Sequence, residues 1–133
     1  DVGTGTGILA LAARRLGVSD VVGFDCEPAS IRRAKANARL NEMDSVTFCE
    51  GDVATFQCDK PVNLLLANVL TDVHVAYLET YKQWCLPGAR LILSGVLQEW
   101  ESHVLTAIKE SGLRCLDKRV LNDWCAFYLY YEG

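Results

Sequence analysis

Apolar residues fall in short β-rich runs separated by longer stretches of helical spacing, an alternation that predicts α/β architecture on a mostly parallel sheet. After a glycine-rich opening, Leu9, Ala12, Ala13 and Leu16 recur at helical spacing, and Gly17 supplies the stop. Val21 to Phe24 reads as a short buried strand ending at Asp25. Pro28 opens the next helix, where its missing N–H costs nothing. Ile31, Ala34 and Ala38 form that helix's apolar stripe, and Arg32, Arg33, Lys35 and Arg39 its solvated face. Val46 to Cys49 predicts another strand, closed by the turn Glu50-Gly51-Asp52.

Val62 to Ala67 has almost no polar interruption, as expected of a central strand covered on both faces. Thr71 or Asp72 is placed to cap a helix whose face runs through Val73, Ala76, Tyr77, Thr80 and Trp84 and which stops at Pro87-Gly88. Arg90 to Ser94 reads as a strand, and Trp100, Val104, Ala107 and Ile108 as a helix ended by Gly112. Leu113 to Lys118 and Trp124 to Tyr131 predict an antiparallel hairpin turning at Asn122-Asp123.

The 133 residues suit one domain, and an apolar share of 50% with 23% charged residues is an ordinary globular balance. A net charge of −4 argues against direct nucleic-acid binding, which usually needs a basic face. The six cysteines form no C-x-x-C pair, and His74 and His103 lie far from any cysteine cluster, so no metal site is expected. Most of the cysteines sit in apolar runs, as structural thiols of a reducing compartment do, and a cytoplasmic location follows from that reading. No apolar stretch approaches the roughly 20 residues that span a membrane.

The candidate chemistry begins at residue 1. Asp1-Val2-Gly3-Thr4-Gly5-Thr6-Gly7 alternates glycines, which permits a sharp turn and close approach of backbone N–H groups to a ligand. The helix that follows aims its partial positive charge at the same place. Asp25, ending the next strand, is spaced to accept the hydroxyl protons of a ribose. Loop and acid together indicate an adenosine-containing cofactor. Gly5-x-Gly7-x-x-Ala10 also fits a dinucleotide fingerprint, so NAD is the rival. Asp1 favours S-adenosylmethionine, because an anion suits an ammonium and a sulfonium but not a pyrophosphate. Asp52 offers a second carboxylate, for an adenine amino group, although Gly-Asp is also a plain turn. Thr4 and Thr6 either bond the cofactor or shape the loop.

With these motifs the chain resembles, over essentially its whole length, the catalytic domain of the ribosomal protein L11 methyltransferase family. The resemblance is carried by DVGTGTG, by VVGFDCEP, by Ala67-Asn68-Val69-Leu70, by Leu91 to Leu97 (LILSGVL) and by Asp123-Trp124-Cys125-Ala126. It implies a Rossmann-like class I methyltransferase sheet of seven strands in order 3-2-1-4-5-7-6, the seventh antiparallel. The first strand would precede the glycine loop, so residues 1–133 are expected to be an N-terminally truncated S-adenosylmethionine-binding catalytic domain. Members carry a separate amino-terminal domain that recognises the ribosomal protein, and nothing like it lies within these residues. The implied reaction is methyl transfer to amino groups of a protein partner such as ribosomal protein L11, on lysine side chains or the amino terminus.

The expected cofactor-binding set is therefore Asp1, Gly3, Thr4, Gly5, Gly7, Asp25, Cys26, Asp52 and Asn68, with Asn68 also catalytic, orienting the acceptor amine. Asn68 has a plainer reading as a loop cap. His74 and His103 are read as surface or packing residues, and Trp84 and Trp100 as core stripe. A small-molecule or nucleic-acid methyltransferase on the same core, and a non-catalytic binding module, are the competing function classes. An N-P-P-Y-type motif at Asn68 would suggest a base or glutamine target, and Ala67-Asn68-Val69-Leu70 points away from it.

Overall fold

In the computed structural model, which describes residues 1–133, the chain forms two units, Asp1–Phe56 and Gln57–Gly133. The first contains α1 (Ile8–Arg15), β1 (Val22–Asp25), α2 (Pro28–Leu40) and β2 (Thr47–Glu50). β1 and β2 pair in parallel, from Val22 opposite Thr47 to Asp25 opposite Glu50. On the other edge of β1, Phe24 takes a hydrogen bond from the Thr4 N–H at 2.9 Å and donates to the Asp1 carbonyl at 3.0 Å. Val2 thus bridges Phe24 in parallel, and residues 1–4 run beside β1 as the end of a parallel strand does.

Ala10 and Leu11 of α1 and Ile31, Ala34 and Ala38 of α2 pack on Val21, Val46 and Phe48. Burying a side chain the size of Ile31 or Phe48 contributes about 1.5–3 kcal/mol, which is what holds so small a sheet together. The α2 stripe is the expected one, while that of α1 is Ala10, Leu11 and Ala13. Leu16, expected on it, is 87% exposed, because the helix stops at Arg15 and Leu16 is its C-cap.

The second unit contains β3 (Val62–Asn68), α3 (Thr71–Trp84), β4 (Cys85–Leu97), α4 (Glu101–Glu110), β5 (Arg114–Leu121) and β6 (Trp124–Tyr130). Its sheet order is β3-β4-β6-β5, with β3 parallel to β4 and β6 antiparallel to both neighbours. The closing hairpin and its place in the sheet agree with the order that the resemblance implies. Asn122, with φ 53°, makes its turn. Leu91 and Leu93 of β4 and Phe127 and Leu129 of β6 are fully buried on one sheet face, and α3 packs on β4 and on α4.

Several local expectations change. In β3 only Leu65 and Ala67 are buried, so its two faces are not covered along their whole length. α3 begins after Leu70, which makes no side-chain cap, so neither Thr71 nor Asp72 caps it. Its buried stripe is His74, Leu78, Tyr81 and Trp84, which shares Trp84 with the expected face and is otherwise one position on from Val73, Tyr77 and Thr80, and Tyr77 (φ −118°, ψ 15°) kinks it. Trp84 is core as expected, but Trp100 lies in a short 3-10 turn and is 48% exposed. None of the six cysteines is in a disulfide: Cys85 and Cys125 are buried and Cys26 is exposed. No helix is long and apolar enough to cross a membrane, and no group of three His, Cys, Asp or Glu is placed to hold a metal ion.

Candidate functional site

Gly3, Gly5 and Gly7 all take left-handed backbone, with φ of 64°, 54° and 82°. Gly7 is the N-cap of α1, and a β-carbon there would lie 2.9 Å from the Phe48 ring and 3.1 Å from the Ala34 methyl. Any other residue there would be strained and would press on Phe48 and Ala34. A β-carbon on Gly5 would instead meet only the Gly3 carbonyl, at 4.0 Å, so the middle of the loop opens onto free space.

Two carboxylates brace this loop. One Asp1 oxygen accepts from the Thr4 hydroxyl at 2.5 Å and from the Ala10 N–H, in the first turn of α1, at 3.1 Å. Thr4 is buried with its hydroxyl turned to Asp1, so its side chain shapes the loop, whereas Thr6 is exposed. Asp25, at the end of β1, accepts from the Gly5 N–H and from the Glu27 N–H, each at 2.9 Å. A carboxylate has about four lone-pair positions, so two remain on Asp25 for hydroxyl protons. Bonds to a charged group contribute about 1.5–3 kcal/mol each, enough to hold the glycine loop and the strand end in one arrangement.

Cys26 is exposed beyond Asp25. Asp52 is exposed and folds its own turn, one oxygen accepting from the Ala54 N–H at 2.8 Å while its carbonyl takes the Phe56 N–H at 2.7 Å. That turn stacks Phe56 on Phe24, ring centroids 3.9 Å apart. Asp1, Thr4, Gly5 and Asp25 are thus joined by hydrogen bonds, and Asp52 is tied to its own turn. An open glycine loop, a helix N-terminus and an anchored carboxylate with spare acceptor positions fit the adenosine and amino-acid ends of S-adenosylmethionine.

The second unit carries Asn68, the last residue of β3, exposed and paired in register with Ser94 of β4. Gly95 follows with φ 82°, and a β-carbon on it would overlap the Asn68 Oδ1 and stand 2.9 Å from the Val69 carbonyl. The β4–β6 ladder shifts register here, between Leu93 and Val96. A cavity of about 440 Å³ opens beside these residues, lined by Asn68, Ser94, Gly95, Arg119, Leu121, Trp124, Cys125 and Ala126. Behind its wall the Cys125 thiol faces a Glu101 oxygen at 3.7 Å, and Lys118 pairs with the other oxygen at 2.5 Å. The Lys118 hydrogen bond holds Glu101 below the usual carboxylate range, and burial pushes the Cys125 thiol up.

In the sequence, Ser94, Gly95 and Trp124 to Ala126 stand out only as residues that carry the family resemblance, and none of them is expected at a site. A glycine inside a strand run was the one available signal, since it marks a bulge or a close backbone approach.

Matched as a whole, residues 1–131 fit the family model of ribosomal protein L11 methyltransferase (PrmA). The chain belongs to that family. Among ribosomal protein L11 methyltransferases it is 35% identical over 134 residues to that of Exiguobacterium sibiricum, covering 100% of this chain and 42% of the relative. It is 34% identical over 124 residues to that of Thermus thermophilus, covering 93% of this chain and 48% of the relative. The crystal structure of the ribosomal protein L11 methylase from Lactobacillus delbrueckii subsp. bulgaricus superposes with a TM-score of 0.94 at 25% identity, over 100% of this chain and 68% of that one. The chain therefore spans just under half the length of the two curated L11 methyltransferases it matches.

Proposed function

We propose that residues 1–133 are the catalytic domain of a cytoplasmic S-adenosylmethionine-dependent enzyme that methylates amino groups of a ribosomal protein such as L11, on lysine side chains or the amino terminus. The observation that carries the reading is the Asp25 carboxylate anchored by the Gly5 N–H, which ties a ribose-type acid to an open glycine loop. Gly3, Gly5, Gly7 and Asp25 would hold the cofactor, with Asp1 and Thr4 keeping the loop in shape and Cys26 and Asp52 bordering it. When bound, the cofactor supplies an electrophilic methyl group on a sulfonium.

The chain's own task is then to hold an amine. A lysine amine, with an ordinary pKa of about 10.4, has to lose a proton before it can attack. In this reading the Asn68 side-chain oxygen accepts an N–H of the neutral amine and sets the direction of its lone pair. The half-apolar cavity of Leu121 and Trp124 takes the aliphatic stem and sheds its water. Such orientation is worth about 7–11 kcal/mol of barrier in favourable cases. The test is Asn68→Ala with a labelled-methyl assay on ribosomal protein L11: kcat should fall by about a hundredfold or more, while affinity for S-adenosylhomocysteine should change much less. Unchanged turnover removes Asn68 from the reaction.

A further inference from the structure

His74, on the buried stripe of α3, is 0% exposed, and its Nε2 lies 2.8 Å from the Ser94 carbonyl oxygen. A carbonyl only accepts, so Nε2 carries the proton and Nδ1 is the bare nitrogen. Nδ1 is buried and makes no hydrogen bond. Burial pushes the imidazole below its ordinary pKa, against the opposing effect of the Ser94 bond, and keeps the ring neutral at pH 7. The Tyr81 ring sits edge-on at 6.3 Å and holds it in place. Core packing alone favours an apolar residue here, because a buried polar atom without a partner is destabilising.

What the histidine does gain is a grip on one peptide. Ser94 is the register partner of Asn68. The β4–β6 ladder shifts between Leu93 and Val96, so the Ser94–Gly95 segment lies at a break in regular pairing on that side. Gly95 lies so close to Asn68 that a single added carbon would overlap the amide oxygen. A donor that fixes the Ser94 carbonyl therefore also fixes the surface against which the Asn68 amide rests. We propose that His74 is a positioning residue whose Nε2–H pins the Ser94 carbonyl and, through the Ser94–Gly95 peptide, sets the orientation of the Asn68 side chain. Its bearing on catalysis rests on the reading of Asn68 as the group that holds the acceptor amine.

The experiment compares His74→Leu, which fills the space but cannot donate, with His74→Gln, whose amide nitrogen reaches the position of Nε2. Asn68 amide resonances, assigned with Asn68→Ala, and hydrogen exchange at the Gly95 N–H report the geometry without any turnover. In His74→Leu the Asn68 signals should shift or broaden and Gly95 should exchange about tenfold faster or more, a local opening without global unfolding. The melting temperature and S-adenosylhomocysteine affinity should be unchanged or higher. kcat should fall about ten- to a hundredfold, more than KM changes, and His74→Gln should restore both resonances and kcat. Should the Leu variant not fold, His74→Asn, too short to reach Ser94, carries the same expectations. Unmoved Asn68 and Gly95 signals would overturn the proposal, as would losses that follow melting temperature and are not rescued by glutamine. Signals that move and are rescued while kcat stays constant would keep the positioning and instead refute the role of Asn68 in the reaction.

Discussion

Gly95→Ala is a perturbation whose cost can be worked from the geometry. At φ 82° an alanine adopts left-handed backbone, which costs about 1–2 kcal/mol. Its methyl would also overlap the Asn68 amide oxygen and press on the Val69 carbonyl at 2.9 Å, and the latter is backbone that cannot step aside. Overpacking of that kind adds about 1–3 kcal/mol. The sum is about 2–5 kcal/mol. Gly112→Ala is the matched control: φ is 77°, nothing lies within 4 Å, and only the backbone cost applies. At about 2.1 cal/mol/K of unfolding entropy per residue, a chain of this length loses about 4 °C of Tm per kcal/mol. Scanning calorimetry should then show a drop of about 4–8 °C for Gly112→Ala and about 8–20 °C for Gly95→Ala. Affinity for S-adenosylhomocysteine, which depends on the glycine loop and Asp25, should be unchanged in both folded variants. If Gly95→Ala melts with Gly112→Ala, Gly95 does not form a rigid seat for Asn68 and the geometric reasoning is wrong.

Two further outcomes are expected. His74 has its pKa lowered by burial, so the unfolded chain, titrating near 6.5, binds the proton first. Its contribution is fully present above about pH 6.5 and is lost as pH falls below that value, which thermal melts from pH 8 to 5 should show and which His74→Leu should flatten. Glu101 and Asp117, held low by Lys118 and Arg119, lose theirs only in the more acid carboxylate range, so the two effects separate. Burial pushes the Cys85 thiol up to about 11, whereas Cys26 is exposed. At pH 8 a thiol reagent should therefore modify Cys26 in the native chain and reach Cys85 only on unfolding, and early modification of Cys85 would contradict its placement.

Elements whose signal is local were legible in the sequence. Asp25 at a strand end, Pro28 opening α2, the stripe of Ile31, Ala34 and Ala38 and the turn at Asn122-Asp123 all stand where the pattern put them. The resemblance supplied what local pattern cannot, the sheet order with β6 between β4 and β5. Legibility failed where tertiary packing decides. A histidine reads as polar, so the true stripe of α3, with His74 in it, was displaced by one position everywhere but at Trp84, and the kink at Tyr77 blurred the period further. Leu16 and Trp100 are apolar by composition yet exposed, because each falls at a helix boundary whose position the stripe alone does not set. Of the candidate site, the acids and glycines were visible and their hydrogen bonds were not. The Asp25–Gly5 link joins residues 20 positions apart, and the fit of Gly95 against Asn68 depends on a single missing carbon.

The most direct measurement is a calorimetric titration of the chain with S-adenosylhomocysteine and, separately, with NAD, repeated on Asp25→Ala. S-adenosylhomocysteine should bind saturably and NAD should not bind, and removing the carboxylate should cost about tenfold to a hundredfold in affinity, the equivalent of one charged hydrogen bond. Binding of NAD alone, or S-adenosylhomocysteine affinity that is indifferent to Asp25, would contradict the assignment of Asp25 and the glycine loop to S-adenosylmethionine.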